Sequence, residues 1–216
     1  MLLLVGLGTP GREYARNRHN VGFMAVDAIV HRHDLPAFRA RFQGLALVSE
    51  GVVAGEKVLV LKPTTYMNNS GQAVAAAAHF YKIPPDRIVV FHDELDLKAG
   101  KLRVKRGGGA AGHNGIRSID AHIGADYRRV RIGVGHPGDS DRVLAHVLND
   151  FGKDDAEWLD KLLEAQSVAL PDLIAGNDAA FMSRVAGVMT PPKPKTKPAP
   201  PESSSNDRTE GSGRGV

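Results

Sequence analysis

Leu2-Leu3-Leu4-Val5 is a continuous apolar run that stops at Gly6-Leu7-Gly8-Thr9-Pro10-Gly11. Short apolar runs cut off by turn residues read as buried strands, and they constrain this chain more than any other feature. Residues 88–91 form a second such run, ending at His92-Asp93. Residues 45–53 and 57–61 read as two strands joined through Ala54-Gly55-Glu56, a hairpin-like turn. Residues 100–106 and 127–134 are further strand candidates. Helical patterns fall between and after them. Residues 21–31 carry Phe23, Val26, Ala28, Ile29 and Val30 as an apolar face, and the alanine-rich stretch 71–81 is stopped by Pro84-Pro85. Residues 115–123, 141–147, 153–169 and 178–185 complete the helices. Strands interleaved with helices, without an internal repeat, predict a single α/β domain around a mixed sheet.

Composition narrows the chemistry. A chain of 216 residues can bury one sizeable core. With no cysteine it has no disulfide, thiolate metal site or cysteine nucleophile. The N-terminus lacks a basic segment before its short apolar run, so no secretory signal is expected. No apolar stretch approaches the roughly 20 residues of a membrane span. The net charge is +4, but residues 190–216 hold five basic and three acidic residues, leaving the body only weakly basic. Those same residues contain six of the thirteen prolines and a Ser/Asn/Gly/Arg stretch. With so little to bury, they are expected to form a disordered tail behind a body at 1–189. Positive charge is instead concentrated locally, in Lys101-Leu-Arg103-Val-Lys105-Arg106, in Arg128-Arg129-Val-Arg131, and in Arg12, Arg16 and Arg18 near His19.

Several loops carry side chains suited to catalysis. Gly6-Leu-Gly8-Thr-Pro-Gly11 fits G-x-G-x-x-G after a strand, the pattern of a dinucleotide site. Pro10-Gly11 favours a turn where that site needs a helix, so close backbone approach is the competing reading. His19 is one of nine histidines, and its interest depends on a partner. Asp93, just past an apolar strand, is a candidate to accept its Nδ1–H and so fix the tautomer. His92, Asp93, Glu94 and Asp96 read alternatively as a divalent-cation site, although that spacing scatters them over both faces of a strand. Asn68 and Asn114 lie in glycine-flanked loops, either as turn residues or as neutral donors to a carbonyl or oxyanion. Gly107-Gly108-Gly109 follows a basic strand and reads as a phosphate cradle or a mobile loop. Tyr14 and Tyr66 offer flat faces for a base or ribose, or simply pack.

Taken together, these stretches closely resemble the bacterial peptidyl-tRNA hydrolase family from about Met1 to Val188. The matching motifs are Val-Gly-Leu-Gly-x-Pro-Gly, Tyr14, Arg18-His19-Asn20-Val-Gly22, Lys62-Pro-x-Thr-Tyr66-Met67-Asn68-x-Ser70-Gly71, His92-Asp93-Glu94-Leu-Asp96, Gly112-His113-Asn114-Gly115 and Arg131-x-Gly133-x-Gly135-His136-Pro137. The resemblance implies a monomeric, cytoplasmic enzyme with one twisted mixed sheet flanked by helices. It implies cleavage of the ester between a peptide and the 3′-terminal ribose of tRNA, recycling stalled peptidyl-tRNA during translation. No cofactor, metal or membrane is implied, and the partner is peptidyl-tRNA through its acceptor stem and 3′ end. His19 would be the general base and Asp93 its orienting partner. Tyr14, Tyr66, Asn68 and Asn114 would bind substrate, and Lys105 with Arg131 would grip the tRNA 5′-phosphate. Thr9 stands where the family usually has an asparagine that distinguishes peptidyl from free aminoacyl substrates. Ala110-Ala111 replaces a His-Gly type of sequence, which is expected to stiffen the glycine loop.

Overall fold

The structure is a computed structural model that describes residues 1–190. Apart from Thr190, the expected tail lies outside the described residues. A seven-stranded mixed sheet runs in the order β2-β3-β4-β1-β5-β7-β6. Its strands are β1 (Leu2–Gly6), β2 (Arg39–Arg41), β3 (Ala46–Val53), β4 (Glu56–Pro63), β5 (Ile88–Glu94), β6 (Leu102–Arg106) and β7 (Arg128–Gly133). The four central strands β4, β1, β5 and β7 are parallel, and the outer pairings are antiparallel. The helices are α1 (Val21–Arg32), α2 (Ser70–Tyr81), α3 (Asn114–Ile123), α4 (Val143–Leu148), α5 (Ala156–Val168), α6 (Leu170–Ile174) and α7 (Asp178–Met189).

Alternation along β1 explains the layers. Leu2 and Leu4 enter a core with α1, α5, α6 and α7, while Leu3 and Val5 enter a second core with α2 and α3. Helices thus cover both faces, which is why β1 and the first four residues of β5 are apolar without alternation. The β3–β4 hairpin closes with Val53 opposite Glu56, so Glu56 belongs to the strand and the loop is Ala54-Gly55 alone. Both loop residues have positive φ, the geometry whose twist matches the flanking strands.

The glycines of the first loop allow close approach. A Cβ at Gly6 would collide with the Gly22 carbonyl, and one at Gly8 with the Phe23 ring. No helix opens at them. The chain turns through residues 11–16 and α1 begins only at Val21, which rules against the dinucleotide reading. Leu7 N–H bonds the Phe91 carbonyl at 3.0 Å, and Phe23 N–H bonds the Leu7 carbonyl at 3.1 Å. The end of β1, the end of β5 and the start of α1 are thereby fixed together. Among the described residues, no helix is long and apolar enough to cross a membrane.

Candidate active site

Asp93 lies at the carboxyl end of parallel β5, where open α/β sheets place their sites, and is met by the loop after β1 and by the segment between antiparallel β6 and α3. β5 continues past its apolar run, so His92, Asp93 and Glu94 are buried strand residues rather than a loop. His19 sits in a 3-10 turn just before α1, and its Nδ1 lies 2.9 and 3.1 Å from the two Asp93 oxygens. His113 approaches from the other side, with Nε2 2.9 Å from Asp93 Oδ1.

The local structure settles the tautomers. His113 is the N-cap of α3, and its Nδ1 accepts from the backbone N–H groups of Gly115 (3.1 Å) and Ile116 (3.4 Å). Its proton is therefore on Nε2, donated to Asp93. With Asp93 ionised, His19 donates Nδ1–H and keeps its Nε2 lone pair, which makes no hydrogen bond among the described residues. This imidazole lines a cavity of about 160 Å³ together with Leu95, Asn114, Val143, Leu144 and Val147.

Burial alone would favour the neutral His19 ring. The charge and hydrogen bond of Asp93 outweigh it and hold the pKa above the ordinary histidine value. Burial likewise opposes ionisation of Asp93, but His113 and His19 more than reverse it and keep the carboxyl well below its usual range. His92 is different. Burial, aided by nearby His113, pushes its pKa down to about 3. The neutral ring donates Nδ1–H to the Asp93 carbonyl at 2.8 Å, and its Nε2 is buried without a partner. The His19, Asp93 and His113 donor atoms lie within 4.8 Å of one another, a composition that also suits a small metal site. Here the Asp93 oxygens are committed to two N–H donors, and His113 Nδ1 is turned away to its helix.

The other expected residues are spread around this centre. Asn114 is the first residue of α3 and lines the His19 cavity. Tyr66 and Asn68 are exposed on the turn before α2 and do not line it. That turn is seated on α3, because Met67 Sδ occupies the space a Cβ at Gly115 would need. Tyr14 is exposed in the loop between β1 and α1. Thr9 does not line the His19 cavity either. Asn20 holds its backbone from both sides, with Thr9 N–H to Asn20 Oδ1 at 2.9 Å and Asn20 Nδ2 to Thr9 O at 2.8 Å. Thr9 borders a second cavity of about 250 Å³ with Lys62, which pairs with Asp27 at 2.6 Å.

Lys105 and Arg131 do share a cavity, of about 300 Å³, with Arg129, Glu94 and His92. Alternation puts Arg103, Lys105, Arg129 and Arg131 on one face, and the register sets Arg103 opposite Arg131 and Lys105 opposite Arg129. Like charges directly opposed destabilise a sheet. Glu94 offsets Arg131 at 2.8 Å, and Asp120 offsets Arg129 at 2.8 Å. Arg129 also donates to the Gly109 carbonyl at 2.8 Å, tying the glycine loop to β7. In that loop Ala111 has φ +47°, a conformation that disfavours a Cβ. His92, Glu94, Ala110 and Ala111 line both this cavity and that of His19.

Sequence reasoning assigned no individual role to His113 or Asn20 and saw Arg129 only as part of a basic run. The signal for His113 was its position just before a helix start, where a ring nitrogen can cap.

A family model described as peptidyl-tRNA hydrolase matches residues 3–195. The chain is 62% identical over 201 residues to a peptidyl-tRNA hydrolase of Parvibaculum lavamentivorans, covering 91% of this chain and 97% of that protein. It is 56% identical over 193 residues to one from Rhodospirillum centenum, covering 89% and 84%. Among solved structures, a peptidyl-tRNA hydrolase from Acinetobacter baumannii superposes with a TM-score of 0.81 at 38% identity, covering 86% of this chain and 94% of the other.

Proposed function

The chain belongs to the peptidyl-tRNA hydrolase family, and we propose that it cleaves the ester between a peptide and the 3′-terminal ribose of tRNA with His19 as general base. The observation that carries the assignment of the base is the doubly donated Asp93 carboxylate, which leaves His19 Nε2 open to a cavity. Water attacking the ester carbonyl gives its proton to Nε2. Asp93 stabilises the imidazolium that forms, and His113 holds Asp93 in place. Collapse of the tetrahedral oxyanion expels the ribose oxygen, which takes the proton back from His19. The products are tRNA with a free 3′ end and a peptide acid, which gives its proton to solvent to become the carboxylate. General-base assistance of this kind contributes ~10²–10⁴ in rate. Asn114, on the cavity wall, and Asn68, on the turn beside it, supply neutral donors to the acyl–ribose end. Tyr14 and Tyr66 offer exposed rings to the 3′ nucleotides.

Lys105 and Arg131 grip the 5′-phosphate, reading charge rather than sequence. The shared walls of the two cavities fit a substrate that carries a phosphate and an ester at one end of a duplex. Thr9, held by Asn20, takes the place of the discriminating amide. The enzyme acts as a cytoplasmic monomer, with the catalytic body at 1–189.

The test is release of tRNA from N-acetyl-aminoacyl-tRNA and from unblocked aminoacyl-tRNA, by the wild type and by His19→Ala. Turnover of the blocked substrate alone, lost in the variant while tRNA still binds, is expected. Hydrolysis of both substrates would mean that Thr9 does not discriminate. Retained turnover in His19→Ala would overturn the assignment of the base.

A further inference from the structure

Arg18, immediately before the proposed base, reaches a distant segment. Its Nη1 donates to the Asp150 carbonyl at 2.9 Å and lies 3.4 Å from the carbonyls of His146 and Asn149. Its Nη2 pairs with Asp155 at 3.1 Å, and its guanidinium stands 5.5 Å from the centre of the Phe151 ring. The backbone follows the same path, with Arg18 N–H on Asn149 O at 3.1 Å and Phe151 N–H on Arg16 O at 3.0 Å. Asn17 adds a side-chain bond to Asp150 at 2.8 Å. All of these partners lie in the last turn of α4 or just beyond it.

Besides these ties, helix α4 has one side-chain anchor, His146 Nε2 donating to the Val134 carbonyl at 3.1 Å, and little packing. Six residues are too few for a helix to be stable by itself. Of its apolar side chains only Val147 is buried, while Leu144 is 69% and Leu148 44% exposed. A guanidinium at its C-terminal end complements the helix dipole and stands 3.4 Å from the His146 carbonyl, one of those left without an intrahelical partner. Val143, Leu144 and Val147 nevertheless form the apolar side of the His19 cavity, which narrows to about 160 Å³.

We propose that Arg18 is a positioning residue that fixes α4 against the His19 turn, making α4 the apolar wall that seats the side chain of the peptide's C-terminal residue. The inference rests on the reading of this cavity as the acyl site. Bulky apolar residues contact the wall, and glycine does not. Lysine at position 18 keeps the charge but presents one point instead of a planar fork, so it cannot reach the carbonyls and Asp155 together.

The experiment compares N-acetyl-phenylalanyl-tRNA with N-acetyl-glycyl-tRNA for the wild type, Arg18→Lys, Asp155→Asn and His19→Ala. A misplacement of ~1 Å can cost ~10²-fold in rate, so Arg18→Lys should lose about ten-fold or more in kcat/KM on the phenylalanyl substrate. The glycyl substrate should change little, as should affinity for deacylated tRNA and the acidic limb of the pH profile. Asp155→Asn, which removes one tie, should show a smaller loss with the same substrate bias. Equal losses on both substrates, a displaced acidic limb, or no loss in either variant would overturn the proposal. Turnover by His19→Ala would instead break the reading of the site beneath it.

Discussion

Asp93 is where the chemistry of single residues meets most tightly, because one buried carboxylate accepts from two imidazoles with different duties. His113 has its other nitrogen committed to a helix start, so its ring cannot turn without uncapping α3. His19 has its other nitrogen open, so the same carboxylate orients it and raises its basicity. The sign of the pH dependence follows. The proposed mechanism needs neutral His19, so activity should rise with pH through its pKa, and that acidic limb should lie above the unperturbed value of ~6.5. Asp93→Asn removes the charge that favours imidazolium but leaves the burial that disfavours it. The limb should therefore move to lower pH, below ~6.5, while the plateau falls on the order of 10²–10⁴. Measuring kcat/KM from pH 5 to 9 for both proteins checks this. A limb that stays in place would show that Asp93 does not set the basicity of His19.

At the scale of elements, strands β6 and β7 turn two charge runs into one surface. The sequence displayed the runs and their alternation, but not that β6 pairs antiparallel with β7 and brings cation opposite cation. Nor did it reveal that Arg129 and Arg131 are already partly neutralised by Asp120 and Glu94. This changes how the phosphate clamp must be tested. Arg131→Ala would strand the buried Glu94 carboxylate, a defect worth ~3–5 kcal/mol that has nothing to do with RNA. Lys105 is exposed and forms no ion pair among the described residues, so Lys105→Ala should leave the melting temperature unchanged. For an exposed charge pair worth about 1 kcal/mol, KM for 5′-phosphorylated substrate should rise roughly five-fold at low salt. The slope of log affinity against log salt should fall by about 1. A substrate lacking the 5′-phosphate should not distinguish the variant from the wild type. An equal penalty on both substrates would remove Lys105 from the clamp.

Across the whole molecule, most of the fold was legible because its strands and helices announce themselves by period. The failures have local causes. β2 is three exposed residues, two of them arginines, with no alternation to read. α6 follows α5 almost without a break, and its Pro171 looks like a stop although it sits at a helix start, where proline is tolerated. The apolar face expected for α1 named Phe23, Val26, Ala28, Ile29 and Val30; Val26 and Ile29 are buried, but the rest of the buried face is Val21, Gly22 and Ala25. Gly22 explains that shift. A Cβ there would overlap the Phe91 carbonyl and the backbone of Leu7, so the first turn of α1 lies directly on β1 and β5. The candidate site was legible as residues but not as a place, since His19, Asp93 and His113 come from three separate segments. Their meeting depends on this backbone contact, because His19 stands three residues before Gly22. Gly22→Ala should therefore act on fold and chemistry together. Overpacking against backbone costs ~1–3 kcal/mol or more, which urea denaturation would register as a lower midpoint. In the folded fraction, displacement of His19 from Asp93 should depress turnover, while affinity for deacylated tRNA persists because the Gly22 contact is with the ends of β1 and β5 and not with β6 or β7. A stable and fully active Gly22→Ala would mean that the contact between α1 and the sheet is slack, and that the position of His19 is set by the Asn17–Asp150 side of the loop instead.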